Sequence, residues 1–246
     1  MKKTLRLGIL GISFLLMAGS LSAQVEVDRV SRFKGQFGSK VFLTGPVPSA
    51  NFLPDSSPDN EARYIARFYI HTTNLTLQNN DEVTLLRAFD AGNNSVFRLA
   101  VENANGTRRL LVEAREDGGG LVPLPAVNRP TLENGWHAVE VDWTAAVATG
   151  SLRLFLDGAE VNGLTSLNNG LGTVSRIRFG VETPPTQAAG QILLDDFDSR
   201  RDTRIGILCI TDAEYNGFFP DFPDINVRRI LEHDPHRCQA GTVLPQ

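Results

Sequence analysis

Hydrophobic and polar residues alternate along much of the chain after residue 60. In the segment Ala62–Ile70, positions 64, 66, 68 and 70 are apolar, whereas Arg63 and Arg67 are charged. A period of two places alternate side chains on opposite faces of a strand, so this pattern predicts a half-buried β-strand. Similar patterns predict strands at Val83–Phe89, Val96–Glu102, Thr107–Arg115, Trp136–Trp143, Ser151–Leu156, Val174–Phe179 and Gln191–Phe197.

Short polar turns separate the predicted strands. Asn103–Gly106, Asn134-Gly135 and Asp157-Gly158 supply residues that tolerate the positive φ of tight hairpins. A partner strand is therefore expected to begin at Ala159. Many short strands without a convincing amphipathic helix between them predict an all-β sandwich or barrel. Residues 44–60 are rich in Pro, Ser and Asp, and this composition predicts a loop.

The first residues have the pattern of a secretory signal peptide. Lys2, Lys3 and Arg6 precede an apolar run from Leu7 to Ala18, and small residues follow up to Ala23. The run is too short and too interrupted for a membrane anchor, which needs about 20 apolar residues. We expect cleavage after Ala23, or after the preceding serine, and export to the periplasm or the medium.

The charge of the chain makes a nucleic-acid partner unexpected. The sequence has 24 Lys and Arg against 28 Asp and Glu, a net charge of −4. Removing residues 1–23 takes away three cations and no acid, which gives −7. Binding to nucleic acid depends on clustered positive charge. We therefore expect neither a nucleic-acid partner nor stable membrane insertion after cleavage of the signal.

Three stretches together resemble the laminin-G/concanavalin-like superfamily. They are Trp136–Trp143, Leu152–Gly158, and the pair Arg178–Gly180 and Gly190–Arg200, which ends in an Asp-Asp-Phe strand. The resemblance implies a jelly-roll sandwich of two antiparallel sheets over residues 24–204. It also implies that a structural Ca²⁺ is held by an Asp of the last strand, with Asp196 as the first ligand to test. The alternative is that the acids of this strand pair with the arginines that follow.

The residues that a hydrolase would need are not assembled in the sequence. Concanavalin-like glucanases place Glu-x-Asp-x-x-Glu on one strand, whereas here Glu140 and Asp142 are followed by no final Glu. We interpret these two acids as a solvent-facing pair. His71 and His137 are predicted to lie in strands, and no nucleophile elbow or zinc-binding helix motif occurs. The sequence therefore predicts no catalytic residues and a protein that is not an enzyme.

Residues 205–246 depart from the strand pattern and are predicted to form a short extension. Its two cysteines, Cys209 and Cys238, are expected to form a disulfide, since an exported chain meets an oxidising environment. A zinc site of these cysteines with His233 and His236 is the weaker alternative. Asp212, Glu214 and Asn216 match part of an EF-hand-like calcium loop that lacks its closing acid. A short helix is predicted at Ile225–His233.

These observations predict an exported, non-catalytic binding module. The expected ligand is a carbohydrate or glycan, and Trp143 is the aromatic residue that we would test for sugar stacking. The alternative is a structural or protein-interaction role in the cell envelope or a secreted matrix. A degenerate glycoside hydrolase is a minor alternative. Apart from the calcium implied by the resemblance, no cofactor is expected.

Overall fold

The computed structural model describes residues 25–29, 31–34, 38–43, 51–182 and 184–208. Within them the only helical element is a single 3₁₀ turn at Ala126–Asn128, and the rest is strand and connecting loop. The strands are β1 (Val25–Asp28), β2 (Gly38–Leu43), β3 (Asn51–Asp55), β4 (Arg63–His71), β5 (Leu75–Thr76), β6 (Glu82–Phe89), β7 (Ser95–Ala104), β8 (Thr107–Arg115), β9 (Leu121–Pro123), β10 (Trp136–Thr144), β11 (Gly150–Leu156), β12 (Ala159–Leu167), β13 (Arg176–Val181) and β14 (Ala189–Arg200).

The strands form two antiparallel sheets that pack face to face. One sheet has eight strands in the order β1-β2-β14-β4-β10-β11-β12, with β5 paired to β14. The other has six strands in the order β3-β13-β6-β7-β8-β9. The chain crosses repeatedly between the sheets, because β3, β6 to β9 and β13 lie in one and their sequence neighbours lie in the other. This is the predicted jelly-roll sandwich, and the fold prediction is confirmed.

The core lies between the sheets and is built by alternate residues of each strand. On β4, Tyr64, Ala66, Phe68 and Ile70 all join this core. The eight strands predicted from alternation are all present, with bounds that differ by a few residues. The partner strand expected at Ala159 is β12.

The prediction of a loop throughout residues 44–60 is wrong for Asn51–Asp55, which form β3. This strand is the edge of the six-stranded sheet and pairs only with β13, where Pro54 lies opposite Arg178. A proline lacks the N–H that a second neighbour would need, so it is tolerated at a sheet edge. Pro54 therefore argues against a central strand, but not against an edge strand such as β3.

Two segments cover the middle of the outer face of the eight-stranded sheet. Phe33 stacks on Tyr69 of β4 with ring centroids 3.7 Å apart. From the other side, residues 202–208, which we call the strap, follow β14 and cross the sheet. The Tyr69 hydroxyl donates to the Leu208 carbonyl at 2.8 Å and accepts from the Leu208 N–H at 2.6 Å. As a result β4 is buried on both faces rather than half-buried as predicted.

Candidate functional site

A row of charged side chains crosses the outer face of the six-stranded sheet. Arg178 of β13 lies opposite Arg87 of β6, which lies opposite Arg98 of β7, which lies opposite Glu113 of β8. We call these four residues the arginine row. Their neighbours along each strand, such as Ile177, belong to the core between the sheets. Because side chains alternate along a strand, the arginine row must point away from the core.

One buried carboxylate holds two arginines of the row together. Glu182, just after β13, lies 2.5 Å from Nη1 of Arg178 through Oε1. Its Oε2 lies 2.6 Å from Nε of Arg87, at an angle outside hydrogen-bond geometry. The Glu182 side chain is 8% exposed, whereas those of Arg87 and Arg178 are 27% and 32% exposed. The carboxylate therefore lies beneath two guanidinium groups that reach solvent.

Two aromatic rings flank Arg178. Its guanidinium carbon lies 4.8 Å from the ring centroid of Phe52 on β3 and 4.7 Å from that of Phe89 on β6. Arg176 also lies over Phe89, at 4.9 Å. Stacking of planar guanidinium groups on aromatic rings is favourable and restricts their rotation. This end of the row is thus a surface of stacked planar groups.

The other end of the row is closed by ion pairs. Arg98 contacts Glu113, reaches Glu82 at 2.5 Å, and donates to Thr84 Oγ1 at 3.1 Å. Burial opposes the charged form of Arg98, but its hydrogen bonds with Glu113 and Glu82 outweigh burial and raise its pKa. Arg98 is therefore a fixed cation that braces the middle of the sheet.

The arginine row was not predicted from the sequence. The sequence did contain a signal for it. Each of the segments that form β6, β7 and β13 has an arginine at a polar position, namely Arg87, Arg98 and Arg178. What the sequence does not show is the register, which brings strands far apart in the chain into one row. Glu182 gave no signal, because it lies beyond the end of its strand.

Glu140 and Asp142 are not the solvent-facing pair that we predicted. Their side chains are 4% and 3% exposed. Glu140 accepts from Arg204 Nε at 3.1 Å and from the Gly206 N–H at 2.8 Å, both in the strap. Asp142 accepts from two nitrogens of Arg63, at 3.1 and 2.9 Å. The prediction failed because alternation shows which residues share a face, not what covers that face.

Trp136 and Trp143 lie on opposite faces, as predicted, but Trp143 is unsuited to sugar stacking. It is 0% exposed and its Nε1 donates to the Gly172 carbonyl at 2.8 Å. Trp136 is half-buried on the outer face of the eight-stranded sheet, edge-on to Phe33 and to His71. The expectation attached to Trp143 is therefore wrong, since no ligand reaches a ring in the core.

The two strand histidines are held by structural contacts. Burial is the main cause that lowers the pKa of His71 to about 4, and His137 and Arg108 add to it. His137 Nδ1 lies 2.8 Å from Asp157 Oδ2, and the other carboxylate oxygen of Asp157 accepts the Ala138 N–H at 2.9 Å. The aspartate of the predicted Asp157-Gly158 turn thus anchors the start of β10.

The acids of β14 have different surroundings, and the calcium site expected around Asp196 stays a prediction. Asp195 Oδ2 accepts the backbone N–H groups of Phe33 and Lys34 at 2.7 and 3.0 Å, so it faces donors rather than a cation. Asp196 lies at a bulge with φ of 54°, and its Oδ2 is buried without a hydrogen-bond partner. Across the described ranges, no group of three His, Cys, Asp or Glu side chains is placed to hold a metal ion. Ca²⁺ favours six to eight oxygens.

The remaining candidates fall outside the described residues. They are the signal at residues 1–23 and, in the extension, Cys209, Asp212, Glu214, Asn216, Ile225–His233, His236 and Cys238. In the described ranges, no helix has the length and apolar character needed to cross a bilayer.

The fold defines the class of protein: a jelly-roll sandwich of two antiparallel sheets. No protein-family profile and no curated protein matches the chain. Among solved structures it is similar to the cellulose induced protein Cip1, with 18% identity over 75% of this chain and 88% of that one and a TM-score of 0.55. It is also similar to the structure titled HCR/D-Sa-GBL1/C, with 14% identity, a TM-score of 0.51, and 81% and 47% of the two chains covered. At these identities the likeness shows the fold alone.

The prediction that the protein is not an enzyme needs correction. Alginate lyases are among the similar structures, for example Aly36B in complex with an alginate trisaccharide, with 10% identity over 73% of this chain and 88% of that one and a TM-score of 0.49. The absence of familiar hydrolase motifs was too narrow a basis for excluding catalysis, because fold does not fix function.

Proposed function

We propose that this protein binds carbohydrate on the outer face of its six-stranded sheet. The observation that carries the proposal is the arginine row, which places planar polar groups side by side across four strands. The corresponding face of the other sheet is covered at its centre by Phe33 and the strap. The face with the row is thus the more accessible of the two.

The chemistry of the row suits sugar hydroxyl groups. Guanidinium and carboxylate groups offer pairs of donors or acceptors at fixed spacing, which match adjacent hydroxyls of a pyranose ring. Phe52 adds apolar surface beside them, whereas Phe89 is buried and packs against Arg178. Sites of this kind combine apolar surface with a few placed polar groups that set orientation. Similarity to a protein described as cellulose induced agrees with a role near polysaccharide.

We further propose that the protein acts outside the cytoplasm, in the periplasm or the medium. The support is the signal-peptide pattern of residues 1–23. Sequencing of the N-terminus of the chain recovered from outside the cells would test this. A first residue at 23 or 24 is expected, and an intact Met1 in that fraction would contradict the proposal.

A glycan array and a matched pair of variants test carbohydrate binding. The purified chain is expected to show saturable binding to at least one glycan, and Arg87→Ala should reduce it about tenfold or more, the cost of losing a charged hydrogen-bond partner. Arg153→Ala is the control, because Arg153 pairs with Glu160 on the other sheet. Absence of binding across the array, or equal loss in both variants, would overturn the proposal.

A second candidate is a protein-interaction role at the sheet edges. Val27 of β1 and Leu53 of β3 are 63% and 68% exposed and flank a cavity of about 340 Å³ between the two sheets. Exposed edge strands accept an additional strand from a partner, and apolar side chains beside them strengthen this contact. In this case Leu53→Lys would abolish binding to an envelope or matrix protein, and Arg87→Ala would leave it unchanged.

A further inference from the structure

We infer that Arg87 and Arg178 form a clamp for the carboxylate of an acidic sugar, so that the glycan bound here is a polyuronate rather than a neutral polysaccharide. This inference rests on the proposed carbohydrate function of the same face. It adds the class of ligand and assigns the two residues that select it.

The charge at this position is unbalanced in favour of an anion. Two guanidinium groups share the single carboxylate of Glu182, at 2.5 and 2.6 Å. These three side chains sum to one positive charge. Arg176, over the same Phe89 ring, adds one more, and Arg98 with Glu82 and Glu113 adds one negative charge, so this face keeps one net positive charge on a chain whose net charge is −4. Since Glu182 is the most buried of the three side chains, the excess charge lies on the solvent side. A ligand carboxylate bound there balances the charge, because two guanidinium groups then face two carboxylates.

The donors needed for such a ligand are still available. Arg87 contacts Glu182 through Nε, and among the described residues its Nη1 and Nη2 make no hydrogen bond. Arg178 uses Nη1 for Glu182, and within the same ranges its Nη2 has none. Arginine presents these nitrogens in a rigid plane that fits a carboxylate with two parallel hydrogen bonds. The clamp therefore needs no rearrangement of its existing ion pairs.

Three restraints hold the clamp in place before any ligand arrives. The two arginines lie directly opposite each other on β13 and β6. Glu182 accepts a hydrogen bond from Arg178 and forms an ion pair with Arg87, and Phe52 and Phe89 restrict the plane of Arg178 from the sides. Groups that are ordered in advance lose little conformational entropy on binding. The pair of Arg153 and Glu160 differs from the clamp in exposure, at 41% and 44%, and in charge, because one carboxylate balances one guanidinium.

The excess of a single charge also limits the kind of anion. Polyphosphates are bound by extended clusters of cations. Here the next arginine of the row, Arg98, is already engaged by Glu82 and Glu113. One carboxylate per sugar residue, as in a polyuronate, matches one net positive charge at one position.

Calorimetric titration with oligouronates and their carboxyl-reduced counterparts tests the inference. The probes are oligosaccharides of galacturonate, glucuronate, mannuronate and guluronate, each compared with the neutral sugar obtained by reduction. We expect the chain to bind at least one oligouronate about tenfold or more tightly than its reduced form, with affinity falling as salt rises. Arg87→Gln and Arg178→Gln should each remove this preference, whereas Arg153→Gln should retain it.

The outcomes separate this inference from the proposed function. Equal affinity for charged and reduced oligosaccharides would overturn the clamp and leave carbohydrate binding intact. Absence of binding to every member of both series would overturn both. Thermal melts of each variant report whether it folds. The variant Arg178→Lys provides a second test of the clamp. It keeps the charge but loses the planar fork, so the preference should fall without vanishing.

Discussion

The carboxylate of Glu140 joins the eight-stranded sheet to the strap through Arg204. Arg204 Nε donates to one carboxylate oxygen at 3.1 Å, and the Gly206 N–H donates to the other at 2.8 Å. The guanidinium of Arg204 also lies 3.6 Å above the ring centroid of Phe155. A residue that resembles half of a catalytic pair in the sequence is thus a structural anchor in the fold.

Replacing Glu140 with Gln is expected to loosen the strap. The amide keeps one acceptor for one of the two donors but presents an N–H₂ group to the other, so a charged hydrogen bond is lost at a buried position. The free energy of unfolding should fall by about 2 kcal/mol, and trypsin should cut at Arg204 faster. Denaturant unfolding and timed proteolysis measure both. Glu160→Gln, in an exposed pair with Arg153, should cost less than about 1 kcal/mol. Equal effects of the two variants would contradict the anchoring role.

Gly150 is a position where no side chain fits. A Cβ there would lie 1.7 Å from Oδ1 of Asn169. Asn169 is fully buried, and its side chain connects its own segment to residues 144–146. It accepts the Ala146 N–H at 2.8 Å and donates to the Thr144 carbonyl at 3.1 Å. Gly150→Ala should therefore displace this amide and lower the free energy of unfolding by about 3 kcal/mol.

Gly120→Ala is the control for the Gly150 variant. A Cβ at Gly120 meets no atom within 4 Å, and its φ lies outside the left-handed region. Its stability should change by less than about 0.5 kcal/mol in the same denaturant assay. Two glycine variants with the same small effect would show that Asn169 moves aside without cost.

The strands were predictable because each is specified locally. Alternation and turn chemistry located β4, β6 to β8 and β10 to β14, including the hairpin at Asp157-Gly158. The strands β1, β2, β3, β5 and β9 were not predicted. For edge strands such as β1 and β3 the reason is that an edge needs little apolar pattern and tolerates a residue such as Pro54. The sequence therefore predicts the sandwich, whereas the remaining strands depend on pairing with strands that are distant in the chain.

The candidate site was less predictable because it depends on register and on covering segments. Arg178 and Arg87 are far apart in sequence and meet only through the pairing of β13 with β6. In contrast, Glu140 and Trp143 gave clear sequence signals but are buried, one under the strap and one in the core. Spacing within a strand predicts which residues share a face. It does not predict which face remains open to a ligand.

The disulfide between Cys209 and Cys238 stays a prediction, since both lie outside the described residues. If it forms, the unfolded but unreduced chain should show no free thiol to Ellman's reagent, and reduction should release two. The double Cys→Ser variant should then be less stable by about 3 kcal/mol, because the closed loop restricts the unfolded chain. Thiol titration of the denatured, exported chain measures the first point. Two thiols without reduction would contradict the pairing.

The depressed pKa of His71 should make the fold sensitive to mild acid. Burial, aided by His137 and Arg108, lowers this pKa from 6.5 to about 4. Between these values the unfolded state binds a proton that the folded state does not, so stability is lost as pH falls from 6.5 towards 4. The full loss is about 3 kcal/mol below the folded pKa. His71→Gln should flatten the dependence of unfolding free energy on pH between 6.5 and 5, where ordinary carboxyl groups stay ionised. A slope that is the same in wild type and variant would place the sensitivity in another group, and an NMR titration of the His71 ring would then show a pKa near 6.5.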